Sequence, residues 1–93
     1  MDNRTIIIRT NRHEGIIMSV AGLFSRRNIQ VESMYCFSGD TAGEMVFIVT
    51  CADPGMAERA VRHLSAMHDV IDARYDSLIP DVSPIRIGER AVL

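Results

Sequence analysis

The sequence predicts an α+β domain in which two helices cover one face of a four-stranded antiparallel sheet. Two observations carry this. Hydrophobic periodicity switches between strand and helix spacing in the order β-α-β-β-α-β, and a length of 93 residues accommodates one such domain and no second.

The first strand is "TIIIRT", Thr5 to Thr10, a β-branched run bounded by polar residues that reads as buried on both faces. The first helix starts near Ile16. Ile16, Ile17, Val20, Leu23 and Phe24 recur at three- and four-residue spacing and form one apolar stripe, with Ser19, Ser25, Arg26 and Asn28 turned away. Gly22 costs such a helix about 1 kcal/mol relative to alanine, so it marks a close approach to another backbone. "NIQVESMYCF" (Asn28 to Phe37) and "EMVFIVTC" (Glu44 to Cys51) read as strands joined through the turn-rich "SGDTAG". Met45, Phe47 and Val49 point one way and Val46 and Ile48 the other, so both faces of this strand need cover.

The second helix opens on Asp53 as N-cap and Pro54 as its first residue, and Ala57, Ala60, Val61, Leu64 and Met67 supply its stripe. "HDVIDARYDSL" then alternates polar and apolar residues, as a strand at a sheet border does. This is the ferredoxin-like split βαβ arrangement. The domain spans residues 4–78, and residues 79–93, with Pro80 and Pro84, form a tail that reads as a flexible end, an added strand or a docking segment.

Composition narrows the function. The net charge is −2, and the ten basic residues are all arginines scattered along the chain, which argues against the concentrated basic face of a nucleic-acid binder. No segment resembles a secretory signal or approaches the length needed to span a bilayer, so a cytoplasmic setting is expected. Cys36 and Cys51 lie far from any CxxC spacing and read as buried, reduced thiols in strands. His13, His63 and His68 lack ligand spacing, and a cation near a helix C-terminus accounts for the latter two. No serine sits in a nucleophile motif and neither cysteine has a cationic neighbour, so no metal and no catalytic residue is expected. An RNA-recognition domain would need exposed aromatics on its central strands, and Phe47 is surrounded by aliphatics.

The segment with chemical promise is the first loop, "TNRHEGII". A glycine ahead of a helix lets the backbone approach a ligand, while the free N–H groups and dipole of the first turn favour an anion such as a carboxylate. On periodicity alone, a simple turn at Gly15 serves as well.

The β-α-β-β-α-β order with this loop resembles an ACT domain, a small-molecule regulatory module of amino-acid metabolism. More narrowly, "GIIMSVAGLFSRRNIQVESM" resembles the regulatory (small) subunit of acetohydroxyacid synthase, also called acetolactate synthase. Gly22-Leu23-Phe24 with Arg27, Val31, Glu32 and Ser33 is the most specific part, and the length resembles the short, single-ACT form of the subunit.

The resemblance implies a non-catalytic partner of a thiamine-diphosphate-dependent catalytic subunit. The small subunit of this family activates that chain and transmits feedback inhibition by valine, leucine or isoleucine. Thiamine diphosphate, Mg and FAD belong to the catalytic partner, and none is implied here. A homodimer is also implied, with second strands side by side and first helices packed across the two-fold axis, through Gly22, Arg26, Glu32 and Met34. The effector would lie between Asn11, Arg12, Glu14, Gly15, Ile16 and Ile17 of one protomer and Gln30 and Val31 of the other, its carboxylate held by N–H groups near Gly15, Ile16 and Ile17. Family members commonly carry asparagine shortly before the loop glycine and at the start of the second strand. Here Asn11 is displaced from that place and Gln30 takes the second, which keeps the amide on a longer arm. The alternative is a stand-alone ACT protein that senses an amino acid and controls another enzyme or regulator.

Overall fold

In the computed structural model, which describes residues 4–75, the chain runs β1 (Thr5–Asn11), α1 (Ile16–Arg26), β2 (Val31–Ser38), β3 (Glu44–Cys51), α2 (Pro54–Ser65) and β4 (Val70–Tyr75). The strands form one antiparallel sheet in the order β2-β3-β1-β4, with the helices over one face. The expected fold class is therefore the observed one. The last three residues of the expected domain and the tail from 79 to 93 lie outside the described residues.

Side-chain alternation decides which residues make the core. Ile6 and Ile8 of β1, and Phe47, Val49 and Cys51 of β3, turn toward the helices and are fully buried. There they meet Ile16, Val20, Leu23 and Phe24 of α1 and Ala57, Ala60 and Leu64 of α2. Small residues at 57 and 60 bring α2 close to the sheet, and larger Leu64 fills the end of the same stripe. Asp53 starts α2 as the sequence predicts: its carboxylate accepts a hydrogen bond from the Met56 N–H at 2.8 Å, and Pro54 occupies the first turn.

Several expectations are corrected. β1 is not buried on both faces. Ile6, Ile8 and Thr10 are buried while Ile7 and Arg9 are half-buried, because helices cover only one side of the sheet. Ile48 is nonetheless buried on the other side, where Ile7 and Tyr35 stand directly opposite it on the flanking strands. A central position thus supplies the cover that β3 needs. Ile17 leaves the apolar stripe of α1 and is 50% exposed, while Ile16 and Val20 on the buried face are 3% and 0% exposed. Cys51 is buried but Cys36 is exposed, and both are free thiols. Cys36 lies opposite Phe47 on the helix side, yet β2 is an edge strand, where only Val31 and Met34 among its helix-side residues pack against the core.

Among the described residues, Gly22 meets no second backbone outside its own helix: a Cβ there would lie 2.9 Å from the guanidinium of Arg26, one turn on, with no such main chain within 4 Å. His63 is corrected too. Burial, reinforced by positive charge on Arg27, Arg62 and Arg59, pushes its pKa down, which weakens the cationic form expected at the end of α2.

Candidate functional site

The first loop is held from three sides. The Asn11 N–H donates to the Asp69 carbonyl at 2.9 Å, tying the end of β1 to the α2–β4 turn, and the Arg12 N–H donates to the Gly43 carbonyl at 2.8 Å, tying the loop to the β2–β3 turn. The Arg12 guanidinium reaches the Ser38 hydroxyl at 3.2 Å, so the loop also meets the end of β2. Gly15 then takes φ +91°, a left-handed conformation open to glycine, and α1 begins with no side-chain cap. No acidic residue occupies the first turn.

The consequence is a helix start with unused donors. The Ile16 N–H turns back to the His13 carbonyl at 3.2 Å, whereas no acceptor among the described residues meets the N–H groups of Gly15 and Ile17. These groups border an open depression of about 600 Å³ lined by Arg12, His13, Glu14, Gly15, Ile16, Ile17 and Met45. Ile17 and Met45 supply apolar wall beside the main-chain donors. That combination suits a small molecule with a carboxylate at one end and an aliphatic group at the other.

Of the predicted site residues, Arg12, Glu14, Gly15, Ile16 and Ile17 come together here, and Asn11 sits at the adjoining end of β1. Gln30 and Val31 do not. β2 begins at the end of the sheet where β3 finishes, so Val31 faces Cys51 while the first loop adjoins Glu44 at the opposite end. Arg12 bonds Ser38. The residues expected at a twin interface are distributed over α1 and the β2 edge: Arg26 folds over Gly22, Glu32 pairs with Arg4 at 3.0 Å, and Met34 packs partly against the core.

Sequence reasoning missed His13 and Met45 as site residues. The His13 ring lies 3.0 Å from Asp69, which is 56 residues away in the chain, and 2.7 Å from the Glu14 carbonyl. The bond to Glu14, then the bond to Asp69, pushes the His13 pKa up, and the bond from His13 in turn holds Asp69 below the ordinary carboxylate range. Met45 was visible as a strand residue, but its place on the depression follows from its pairing with Thr10 at the end of β1.

A βαββαβ fold whose first helix starts at a glycine-led, donor-bearing loop is consistent with an ACT domain. The particular family follows from the chain itself. Residues 6–72 match the model of the AHAS small subunit-like ACT domain, AHAS being acetohydroxyacid synthase, and the chain belongs to that family. No curated protein matches it. Among solved structures it is similar to the acetolactate synthase small subunit from Thermotoga maritima, at 20% identity and a TM-score of 0.72 over 80% of this chain. The chain spans about half, 47%, of that protein. It is also similar to the ACT domain from GTP pyrophosphokinase of Chlorobium tepidum, at 12% identity and a TM-score of 0.59, covering 76% of this chain and 92% of that one. At these identities the likeness is one of fold. Among the described residues, no helix is long and apolar enough to cross a membrane.

Proposed function

We propose that this chain is a non-catalytic regulatory subunit that binds and activates a thiamine-diphosphate-dependent acetohydroxyacid synthase catalytic chain, and that it transmits feedback inhibition by a branched-chain amino acid. The observation that carries the reading is the family match over residues 6–72, joined to a first loop that offers the unused Gly15 and Ile17 N–H groups beside an apolar wall. The effector's carboxylate would take those donors and its aliphatic side chain would lie on Ile17 and Met45. An effector that binds the inhibited arrangement better than the active one shifts their balance by its difference in affinity, and a coupling of about 1–3 kcal/mol suffices for feedback.

Topology supports a pocket shared between two copies. The first loop and Gln30 lie at opposite ends of the sheet. Antiparallel pairing of two β2 edges about a two-fold axis reverses one copy relative to the other, so Gln30 of the partner subunit comes toward the first loop. The same pairing would bring together the exposed Met18, the half-covered Gly22 and the exposed Cys36, and would remove an open strand edge.

The test is reconstitution. Adding the chain to its cognate catalytic subunit raises acetohydroxyacid synthase turnover, and valine, leucine or isoleucine then lowers it. Failure to co-purify with the catalytic chain or to change its rate refutes the activator reading. The likeness to the ACT domain of a GTP pyrophosphokinase favours a second reading, a stand-alone amino-acid sensor acting on another enzyme or regulator. A pull-down that recovers such a partner in place of the synthase distinguishes the two.

A further inference from the structure

His13 is placed so that its proton count matters to the first loop. Nδ1 lies 2.7 Å from the Glu14 carbonyl oxygen, and Nε2 lies 3.0 Å from Oδ2 of Asp69. A carbonyl oxygen and an ionised carboxylate only accept hydrogen bonds, whereas a neutral imidazole has one N–H and one lone pair. Only the doubly protonated ring serves both contacts. In the neutral ring, one nitrogen's lone pair must face an oxygen.

We infer that the His13–Asp69 pair is a proton-dependent clamp that sets the geometry of the first loop, which makes His13 a positioning residue of the effector site; the inference rests on reading that loop as the effector site. His13 stands two residues before Gly15, whose left-handed φ aims the first-turn N–H groups. Its ring joins the loop to the same turn that receives the Asn11 N–H, so side chain and main chain together fix the loop against α2–β4. Loss of the proton leaves the main-chain tie and removes one side-chain tie.

The surrounding groups leave the direction clear. From the loop itself, the Arg12 guanidinium turns to Ser38 and the Glu14 side chain is exposed. From the α2–β4 turn come Asp69 and, 3.6 Å from its other oxygen, the 97% exposed His68. α1 contributes no acidic residue in its first turn, and β3 contributes Met45. Both contacts of His13 favour its charged form, so its folded pKa lies above the ordinary 6.5. The clamp is therefore complete below about that pH and is lost as pH rises through the folded value.

The experiment is a pH titration of the full-length chain by nuclear magnetic resonance, following the His13 ring, identified by its loss in His13→Gln, and the amides of Gly15, Ile16 and Ile17. Calorimetric binding of L-valine is measured alongside at pH 6 and pH 8.5. The expected result is a His13 midpoint above 6.5, loop amides that shift with that same midpoint, and valine binding weaker by roughly tenfold at the higher pH, the scale of one charged hydrogen bond. His13→Gln and Asp69→Asn should each abolish the shared amide titration, which a merely space-filling histidine would not govern. Loop amides indifferent to the His13 midpoint, or a midpoint at or below 6.5, overturn the clamp, and the wild-type chain alone decides this. Absence of valine binding at both pH values overturns the valine-site reading, while the amide titration still decides the clamp.

Discussion

Replacing Gly15 by alanine isolates the cost of a single dihedral angle. The residue holds φ +91° and ψ −3° as N-cap of α1, and a Cβ built there meets nothing within 4 Å. No steric clash with neighbours enters, so the penalty is the intrinsic one for an L-residue in left-handed space, about 1–2 kcal/mol. For a domain of this size, about 1 kcal/mol corresponds to a fall of roughly 4–8 °C in Tm. Gly15→Asn should lose less than Gly15→Ala, because asparagine tolerates this region, as Asn28 does at φ 56°. Thermal melts and urea unfolding at fixed protein concentration measure the stability, and L-valine calorimetry reads the site. If the loop relieves strain by moving Gly15 to negative φ, the alanine variant keeps its Tm but misdirects the Gly15 and Ile17 N–H groups and loses effector affinity. An alanine variant with both wild-type Tm and wild-type affinity refutes the reasoning, since it would show that neither stability nor site depends on this φ.

Other outcomes follow from individual side chains. Thr10 is fully buried on the helix side and its hydroxyl meets no partner among the described residues, so Thr10→Val should leave stability unchanged or raise it by about 1 kcal/mol; a clear loss in urea unfolding would reveal a partner for the hydroxyl. Asp53→Ala removes the cap on the Met56 N–H and should lower stability by about 1 kcal/mol, with Asp53→Asn retaining most of it in the same assay. A thiol reagent at neutral pH should spare Cys51 in the native chain and modify both cysteines after unfolding; rapid native modification of Cys51 contradicts its burial. Burial, with a contribution from Asp53, pushes the Cys51 thiol from 9.0 up to about 11. The unfolded chain therefore releases this proton first, and stability contributed by the protonated thiol declines as pH rises from 9 toward 11. Cys51→Ala should flatten that limb of the stability profile.

Much of the fold was legible because its signals are local. Asp53-Pro54 announces a helix start by a capping oxygen and a preset φ, and the alternation of Phe47 and Val49 with Val46 and Ile48 announces a strand. Misjudged residues share a different property: their environment depends on what lies beside the strand or helix that carries them. Cys36 has the flanks of a buried strand residue but stands on an edge. Ile17 fits the helical stripe by spacing but is half exposed beside the first-loop depression. The site divides the same way, since the glycine-led loop shows in sequence while the contact of His13 with Asp69 joins residues 56 positions apart.

Sequence alone determined the kind and order of the elements over residues 4–75, the glycine at which α1 must begin, and the residues that carry the family likeness. Short-range propensities and period-matched hydrophobic patterns specify those features. Tertiary structure decided that β2 is an edge, that the first loop is tied to both the β2–β3 and α2–β4 turns, and that Gln30 stands at the far end of the sheet from it. Strand order and register bring together groups distant in the chain, and the imidazolium form of His13 becomes legible only when both of its acceptors are in place.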